Sequence, residues 1–197
     1  MALRLQIPIS EEEVRALRLG DEVLLSGRIY TARDAAHKYL AGGDTPPVLP
    51  EGVDFRGSAI YHCGPVMIQE NGEWRVTAAG PTTSAREESY QAQVIRRFGV
   101  RAVIGKGGMG PKTRQALQEC GGVYLSAVGG AAQVLAAAVK RVAGVYFLEE
   151  FGSPEAIWAL DVQDFPAIVT MDAQGNDLHQ QVATASKEKI QALFGGK

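Results

Sequence analysis

The stretch Val100-Arg101-Ala102-Val103-Ile104-Gly105-Lys106-Gly107-Gly108-Met109-Gly110 decides the fold class of this 197-residue chain. Its apolar first half predicts a buried β-strand, and its glycines predict a turn. Pro111 then stands where a helix would have its first residue. The elements predicted after it are a helix at 111–120, a strand at 123–127, a helix at 131–142 and a strand at 145–148. Strands that alternate with helices in this way predict a parallel sheet covered by helices.

The rest of the chain adds β structure around this unit. Alternating apolar residues at 3–9 predict a half-buried strand, and Asn71-Gly72 between two apolar runs predicts a β-hairpin. The C-terminal part predicts strands at 158–162 and 167–171, followed by a helix. We therefore expect an α/β fold with a mostly parallel sheet, flanking helices and an additional β layer. The length favours a single domain over residues 1–197.

The composition limits the classes of function. The net charge is −2 and the basic residues are scattered, so nothing predicts a nucleic-acid surface. No apolar run approaches the length of a membrane span or resembles a signal peptide, which predicts a cytoplasmic protein without membrane contact. Cys63 and Cys120 lie far apart, without the spacing of a disulfide framework or a zinc site. They are too few to hold an iron–sulfur cluster alone, so no metal ligands are predicted here.

Two turns carry the chemistry that the sequence predicts. Gly80-Pro81-Thr82-Thr83-Ser84-Ala85-Arg86 and Gly105-Lys106-Gly107-Gly108-Met109-Gly110 both resemble strand-to-helix turns that combine free N–H groups with a long cation. Thr31-Ala32-Arg33-Asp34 and Ser84-Ala85-Arg86-Glu87 are each predicted to form a capping box at a helix start. A cation in the first helical turn costs roughly 0.3–1 kcal/mol unless an anion lies nearby. The pattern therefore predicts a pocket that binds carboxylates.

The candidate ligands of such a pocket are Arg33, Arg86 and Lys106. All three follow predicted strands, at the sheet edge where open α/β folds bind their ligands. An arginine can hold a carboxylate through two parallel hydrogen bonds. The hydroxyl of Thr82 beside these cations could exchange a proton with a bound substrate.

Other interpretations of these motifs remain open. Gly105-x-Gly107-x-x-Gly110 matches the dinucleotide fingerprint, but the next strand lacks the carboxylate that would bind a ribose. The glycines could also serve only a connection with positive φ, and the hydroxyls could be ordinary helix caps. His37 is better explained as a packed or capping residue than as a catalytic one, and His62 beside Cys63 lacks further metal ligands.

The chain resembles a known family, the β subunits or C-terminal domains of iron–sulfur hydro-lyases such as class I fumarase and L(+)-tartrate dehydratase. The resemblance covers nearly the whole chain, and Pro-Thr-Thr-x-x-Arg together with Ile-Gly-Lys-Gly is its most specific part. The matching stretches are Gly20–Gly27, Thr31–His37, Tyr61-His62-Cys63-Gly64-Pro65, Gly80–Arg86, Gly105–Met109 and Phe151–Trp158.

The resemblance implies a fold and a set of roles. The fold would be a swivelling β/β/α domain, and the reaction a reversible hydration of a four-carbon dicarboxylate. Thr82 would take part in proton transfer, and the substrate's carboxylates and hydroxyl would be bound by Arg33, Arg86 and Lys106. Supporting residues at the matching positions are Thr83, Gly80, Asp34 and Gly105. Glu87 stands where the family usually has Met, and it could complete a capping box or restrain Arg86.

The resemblance also implies a cofactor and a partner. A [4Fe–4S] cluster would be held by a separate α subunit, which makes this chain the β subunit of a hetero-oligomer of the α₂β₂ type. Self-association of the isolated chain is a further expectation. Fumarate hydration to L-malate is the leading hypothesis, with L(+)-tartrate dehydratase or methylfumarate hydratase as the alternative. A stand-alone dicarboxylate-binding module is the hypothesis from a different class.

Overall fold

A computed structural model describes residues 2–194 of the protein. The strands are β1 (Leu3–Gln6), β2 (Glu22–Thr31), β3 (Ala59–Tyr61), β4 (Val66–Glu70), β5 (Glu73–Ala78), β6 (Ala102–Gly105), β7 (Val123–Ser126), β8 (Val139–Tyr146) and β9 (Ile157–Met171). The helices are α1 (Glu11–Ala16), α2 (Asp34–Ala41), α3 (Gln91–Phe98), α4 (Pro111–Cys120), α5 (Ala132–Ala138), α6 (Leu148–Phe151) and α7 (Leu178–Phe194). A single 3₁₀ turn covers Ser84–Glu87.

The main sheet has seven strands in the order β1-β2-β3-β6-β7-β9-β8. Its first four pairings are parallel, whereas β9 runs antiparallel to β7, β8 and β2. Because β9 pairs with both β2 and β7, the strands β2, β3, β6, β7 and β9 close into a small barrel. The hairpin β4–β5 forms a separate two-stranded sheet, with Asn71 and Gly72 at positive φ in its turn. The predicted mixed α/β fold, its hairpin and its extra β layer are confirmed.

The sequence prediction is wrong in the region from residue 131 to 171. The helix predicted over 131–142 ends at Ala138, and β8 begins at Val139 and pairs antiparallel with β9. The two strands predicted at 158–162 and 167–171 are one continuous strand. The alanine-rich part of this stretch is helical as predicted, and the strand begins at Val139, where β-branched residues favour pairing with β9.

Alternating residues of the barrel strands face two separate cores. In β3, Ala59 and Tyr61 belong to one apolar cluster, and Ile60 between them belongs to the other. This is the period of a strand with both faces buried. The cluster around Ile60 includes Val94 of α3 and Leu117 of α4, so these helices cover one face of the sheet.

The parallel strands bring the ends of three connections to one edge of the sheet. Thr31, Tyr61 and Ile104 lie side by side in the pairings β2–β3 and β3–β6. The chain leaves the sheet directly after Thr31 and after Tyr61, and after Gly105, one residue beyond Ile104. Within residues 2–194, no helix combines the length and the hydropathy needed to cross a bilayer.

Candidate active site

Two of the predicted residues, Arg33 and Lys106, lie at the carboxyl edge of the parallel strands, with His62 between them. Arg33 follows β2 and directly precedes α2. Lys106 follows β6 and is exposed. His62 follows β3, which lies between these two strands. The sheet therefore brings Arg33 and Lys106 to the same edge, as the order of elements predicts.

The segment that contains Thr82 is attached to this edge by backbone hydrogen bonds. The N–H of Thr82 donates to the carbonyl oxygen of His62 over 2.7 Å, and the N–H of Ser84 donates to that of Lys106 over 3.0 Å. Thr83 and Lys106 form a short parallel bridge. Thr82 is partly exposed, whereas Thr83 and Lys106 are exposed. The segment therefore carries a threonine hydroxyl and a lysine amine on neighbouring strands at an open edge.

Asp34 connects the two arginines. Arg86 donates to it twice, from Nε over 3.2 Å and from Nη2 over 2.6 Å. Arg33 Nη2 lies 3.9 Å from Asp34 Oδ2 and 3.3 Å from Glu155 Oε1. Because Asp34 takes one edge of the Arg86 guanidinium, the donors of its other edge remain for a second carboxylate. Arg86 is 52% exposed and contributes little to stability through this pair, so Asp34 acts mainly by orienting it.

The two predicted capping boxes do not form. The Thr31 hydroxyl donates to the carbonyl of Ala156 over 3.2 Å and accepts from the N–H of Trp158 over 3.0 Å. Arg33 is the residue before α2, and its side chain does not cap that helix; the N–H of Ala35 in the first turn donates instead to the carboxylate of Glu155 over 2.9 Å. The Ser84 hydroxyl contacts His62 and Tyr124 instead of the backbone of its own turn. In both cases the hydroxyl pairs with a neighbouring strand or a buried side chain, which a local pattern cannot reveal.

The glycine-rich turn does not offer a helix N-terminus to a ligand. The carboxylate of Glu88 accepts hydrogen bonds from the N–H groups of Gly110, Lys112 and Thr113 over 2.8, 2.9 and 3.3 Å. It also accepts one from the Thr113 hydroxyl over 2.7 Å. The first turn of α4 is therefore already neutralised from within the chain. Of the features predicted in this turn, the Lys106 amine is the one that faces solvent.

A buried polar network lies behind the exposed residues. Gln91 Oε1 is 2.8 Å from His37 Nε2 and 2.7 Å from His62 Nε2. His37 Nδ1 is 3.0 Å from the carbonyl oxygen of Arg33, and His62 Nδ1 is 2.9 Å from Ser84 Oγ. Burial lowers the pKa of His62 to about 3 and also lowers that of His37, so both rings are neutral.

This network links the two loops of the site. Gln91 joins the ring that contacts the Arg33 loop to the ring that contacts the Ser84 loop. Sequence reasoning assigned His37 a packing role and gave His62 none. It missed Gln91 altogether, because a glutamine in the first turn of an amphipathic helix carries no local signal.

Two of the predicted supporting glycines lie in close contacts. A Cβ on Gly105 would lie 1.8 Å from Ser84 Oγ and 3.2 Å from His62 Nδ1. A glycine at this position is therefore required for β6 to approach the network. Gly80 is less constrained, since its Cβ would lie 3.2 Å from the Cβ of Ala132.

Glu87 forms neither of the contacts predicted for it. Its side chain is fully buried, and neither carboxyl oxygen has a hydrogen-bond partner among the described residues. His37 Nδ1 lies 3.5 Å from Glu87 Oε2. Burial raises the pKa of Glu87 to about 7, and repulsion from Asp34 and Glu155 adds to the rise.

The residues of this chain do not fit an iron–sulfur cluster. Cys63 is buried after β3, and burial raises the pKa of its thiol to about 12, which disfavours the thiolate that a cluster needs. Cys120 ends α4, in a different part of the fold. Across residues 2–194, no group of three His, Cys, Asp or Glu side chains is arranged to hold a metal ion.

Comparison with known proteins relates this geometry to a family. The model of the Fumarase C-terminus family matches residues 1–182. A protein of Geobacillus stearothermophilus, provisionally named class I fumarate hydratase, is 57% identical over 95% of the chain, which spans 35% of that relative's length. A protein of Methanocaldococcus jannaschii, provisionally named L(+)-tartrate dehydratase subunit beta, is 43% identical and is covered over 96% of its length.

A further relative carries the second of these names. The L(+)-tartrate dehydratase subunit beta of Escherichia coli K12 is 37% identical over 88% of the chain and 85% of its own length. The resemblance seen in the sequence is therefore confirmed by a family match over most of the chain and by similarity to both kinds of hydro-lyase. The chain belongs to the Fumarase C-terminus family.

Proposed function

We propose that this chain is the β subunit of a hydro-lyase that reversibly hydrates fumarate to L-malate. The observation that carries the proposal is the gathering of Thr82, Lys106, Arg33 and Arg86 around one edge of the sheet. Two fixed guanidinium groups suit a substrate with two carboxylates. We further propose that the fold is a swivelling β/β/α domain and that residues 1–197 form one domain, of which residues 1 and 195–197 lie outside the described part.

Each side chain has a distinct proposed role. Arg33 and Arg86 bind the substrate carboxylates, and Asp34 orients Arg86 for this contact. Lys106 binds the hydroxyl that is gained or lost, with Thr83 and Gly105 supporting its loop. The proton on carbon passes through the hydroxyl of Thr82, which gives its own proton to a carboxylate of the partner subunit. The position of Thr82 is set by its backbone hydrogen bond to His62.

The remaining chemistry is proposed to come from a partner. A [4Fe–4S] cluster, bound by a cluster-bearing α subunit in an α₂β₂-type assembly, would polarise the departing hydroxyl as a Lewis acid. The names of two relatives as β subunits support such a partner, as does the poor fit of this chain's own residues to a cluster. The roles proposed for this chain do not depend on the cluster.

L(+)-tartrate dehydration is the second candidate function. Two relatives that carry this name match the chain over most of their own length. The relative named as a fumarate hydratase has a higher identity to the chain than these two, and fumarate is therefore the first candidate substrate. Methylfumarate is a further substrate to test, because the residues at the site do not distinguish hydrogen from methyl on the central carbons.

The experiment that tests this function is an oxygen-free purification of the tagged chain from its own host. Mass spectrometry would identify a stoichiometric partner, and iron and sulfide would be assayed in the same complex. The complex would then be assayed with fumarate, L-malate, L(+)-tartrate and methylfumarate. We expect a partner with iron and sulfide and turnover of fumarate, whereas turnover of tartrate alone would favour the second candidate.

The stand-alone binding module makes a different prediction. A chain that purifies alone, contains no iron and still binds dicarboxylates would support a module that has no catalytic partner. In that case Thr82→Ala would leave ligand affinity unchanged and there would be no turnover to lose. A chain that binds no dicarboxylate in any assembly would contradict both hypotheses.

A further inference from the structure

Glu87 is a buried carboxyl near enough to Arg33 and Arg86 for their charges to act on it. It follows Arg86 in the 3₁₀ turn, and its side chain has no exposed surface. Both of its oxygens lack hydrogen-bond partners among the described residues. An ionised carboxylate in such a position has lost its hydration and gained no donors, whereas the protonated acid loses much less. The geometry therefore favours the uncharged acid.

Neither of the two nearby arginines forms an ion pair with Glu87, because each already lies beside another carboxylate. Arg86 is engaged by Asp34, and Arg33 lies 3.3 Å from Glu155. Each guanidinium thus already has an acidic neighbour. The ionisable groups around Glu87 come from the loop between β2 and α2, from α2, from the loop before β9, from its own turn and, behind the His37 ring, from the loop after β3. They are Arg33, Asp34, His37, Glu155, Arg86 and His62.

The two histidines do not supply the missing charge. His37 Nδ1 is 3.5 Å from Glu87 Oε2 but lies closer, at 3.0 Å, to the carbonyl oxygen of Arg33. The His37 ring packs edge-on against His62, with ring centroids 5.0 Å apart. Both rings are fully buried, and a positive charge on either would be costly in this setting.

We propose that Glu87 is a positioning residue that keeps its proton at neutral pH and thereby leaves the charge of Arg33 and Arg86 available to a dicarboxylate ligand. This inference rests on the function proposed above. When Glu87 loses its proton, a negative charge appears behind both guanidinium groups and repels the ligand dianion. Ligand binding and the ionisation of Glu87 therefore oppose each other, and each bound dianion makes the proton harder to remove.

The pH range of this effect follows from the burial of the group. The pKa of Glu87 is raised to about 7, so the carboxyl is mostly protonated near pH 6 and mostly ionised near pH 8. Because one proton is involved, affinity falls by at most about tenfold for each pH unit above that value. The dicarboxylate is mostly doubly charged across this range, since free carboxylates ionise near pH 4 and the first charge raises the second ionisation by only about one to two pH units.

The test is a binding titration with succinate, a four-carbon dicarboxylate that has no double bond to hydrate. Calorimetry would be performed on the complex with its partner, or on the chain alone if none co-purifies, at about pH 6, 7 and 8. For the wild type we expect the Kd of succinate to rise by about 3- to 10-fold from pH 6 to pH 8. Glu87→Gln imitates the protonated acid and should keep the pH 6 affinity throughout.

Two further variants make the result interpretable. Glu70→Gln removes an exposed carboxylate of the hairpin that pairs with Arg75, and it should retain the pH dependence of the wild type. Glu87→Met provides an uncharged side chain of similar length if Glu87→Gln does not fold. A folded uncharged variant whose affinity changes with pH as the wild type's does would overturn the proposal.

The outcomes separate this inference from the proposed function. Succinate binding that depends on pH through Glu87, in a protein without hydro-lyase turnover, would support the inference and contradict the function. Turnover together with identical pH dependence in wild type and Glu87→Gln would contradict the inference and leave the function intact. Absence of succinate binding at every pH would contradict the inference, because Arg33 and Arg86 would then not form a dicarboxylate site.

Discussion

The substitution Glu87→Gln should change how the stability of the chain depends on pH. The pKa of Glu87 is about 7 in the folded protein against an ordinary value of 4.5, mainly because the group is buried. Between these values the folded state holds a proton that the unfolded state has released. The stabilisation from the protonated acid is therefore complete below about pH 4.5 and is lost as the pH rises through 7.

The magnitude follows from the size of this rise. Each pH unit is worth about 1.4 kcal/mol for one proton, so the free energy of unfolding should fall by about 3 kcal/mol across this window through Glu87 alone. Glutamine has the shape of the protonated acid and does not titrate. The difference in unfolding free energy between Glu87→Gln and wild type should thus grow by about 2–3 kcal/mol from pH 5 to pH 8, in favour of the variant.

The assay is urea unfolding of both proteins at several pH values, followed by tryptophan fluorescence, since Trp158 is fully buried. Taking the difference between the two proteins cancels the titration of every other group. Glu70→Gln is the matched control, because an arginine lowers the pKa of that exposed carboxyl and no comparable gain is expected. A difference between Glu87→Gln and wild type that stays constant with pH would refute the uncharged state of Glu87.

The remaining predictions concern the guanidinium of Arg86, the close contact at Gly105 and the buried network around Gln91. Arg86→Lys should raise the KM of the complex for its dicarboxylate by about tenfold or more, because lysine cannot form two parallel hydrogen bonds to a carboxylate. The control Arg75→Lys, on the hairpin, should leave the steady-state kinetics unchanged. Gly105→Ala should lower the free energy of unfolding, measured in urea, by about 1–3 kcal/mol, because the new Cβ would overlap Ser84 Oγ. In the control Gly129→Ala the new Cβ lies at an ordinary contact distance from its neighbour, and little effect is expected. Gln91→Leu leaves two buried imidazole nitrogens unpaired and should lower the free energy of unfolding by about 1–3 kcal/mol for each nitrogen. An unfolding midpoint equal to that of the wild type would contradict the role of Gln91 in joining the two histidines.

The parts of the fold that the sequence predicted are those in which local and tertiary preferences agree. The unit β6–α4–β7 has an apolar strand, a proline at the first helical position and a parallel return strand, and the structure has all three. Ser10 and Glu13 have the spacing of a capping box, and this box forms at the start of α1. The boundary between α5 and β8 was missed because the helix passes directly into a valine-containing strand at Val139, without a glycine or proline to mark the change.

The sequence was sufficient to predict which strands position the site residues, but not which side chains of the site contact one another. Placing Arg33 and Lys106 after parallel strands required only the order of elements, because parallel strands share one carboxyl edge. The contact between Arg86 and Asp34 joins residues 52 positions apart and depends on how two loops meet. Glu87 stands out in the sequence as a departure from the family, but neither its burial nor that of Gln91 could be predicted, because a buried polar side chain leaves no pattern in the sequence.

The proposed proton transfer through Thr82 is tested most directly by the turnover of fumarate in the complex that contains Thr82→Ala. The variant should lose about 10²- to 10⁴-fold in kcat, the range of general acid–base catalysis, while succinate binds with nearly unchanged affinity. Thr45→Ala, at an exposed threonine in the loop after α2, provides the control and should behave as wild type. Turnover of the Thr82→Ala complex at the wild-type rate would contradict the assignment of proton transfer to this edge of the sheet.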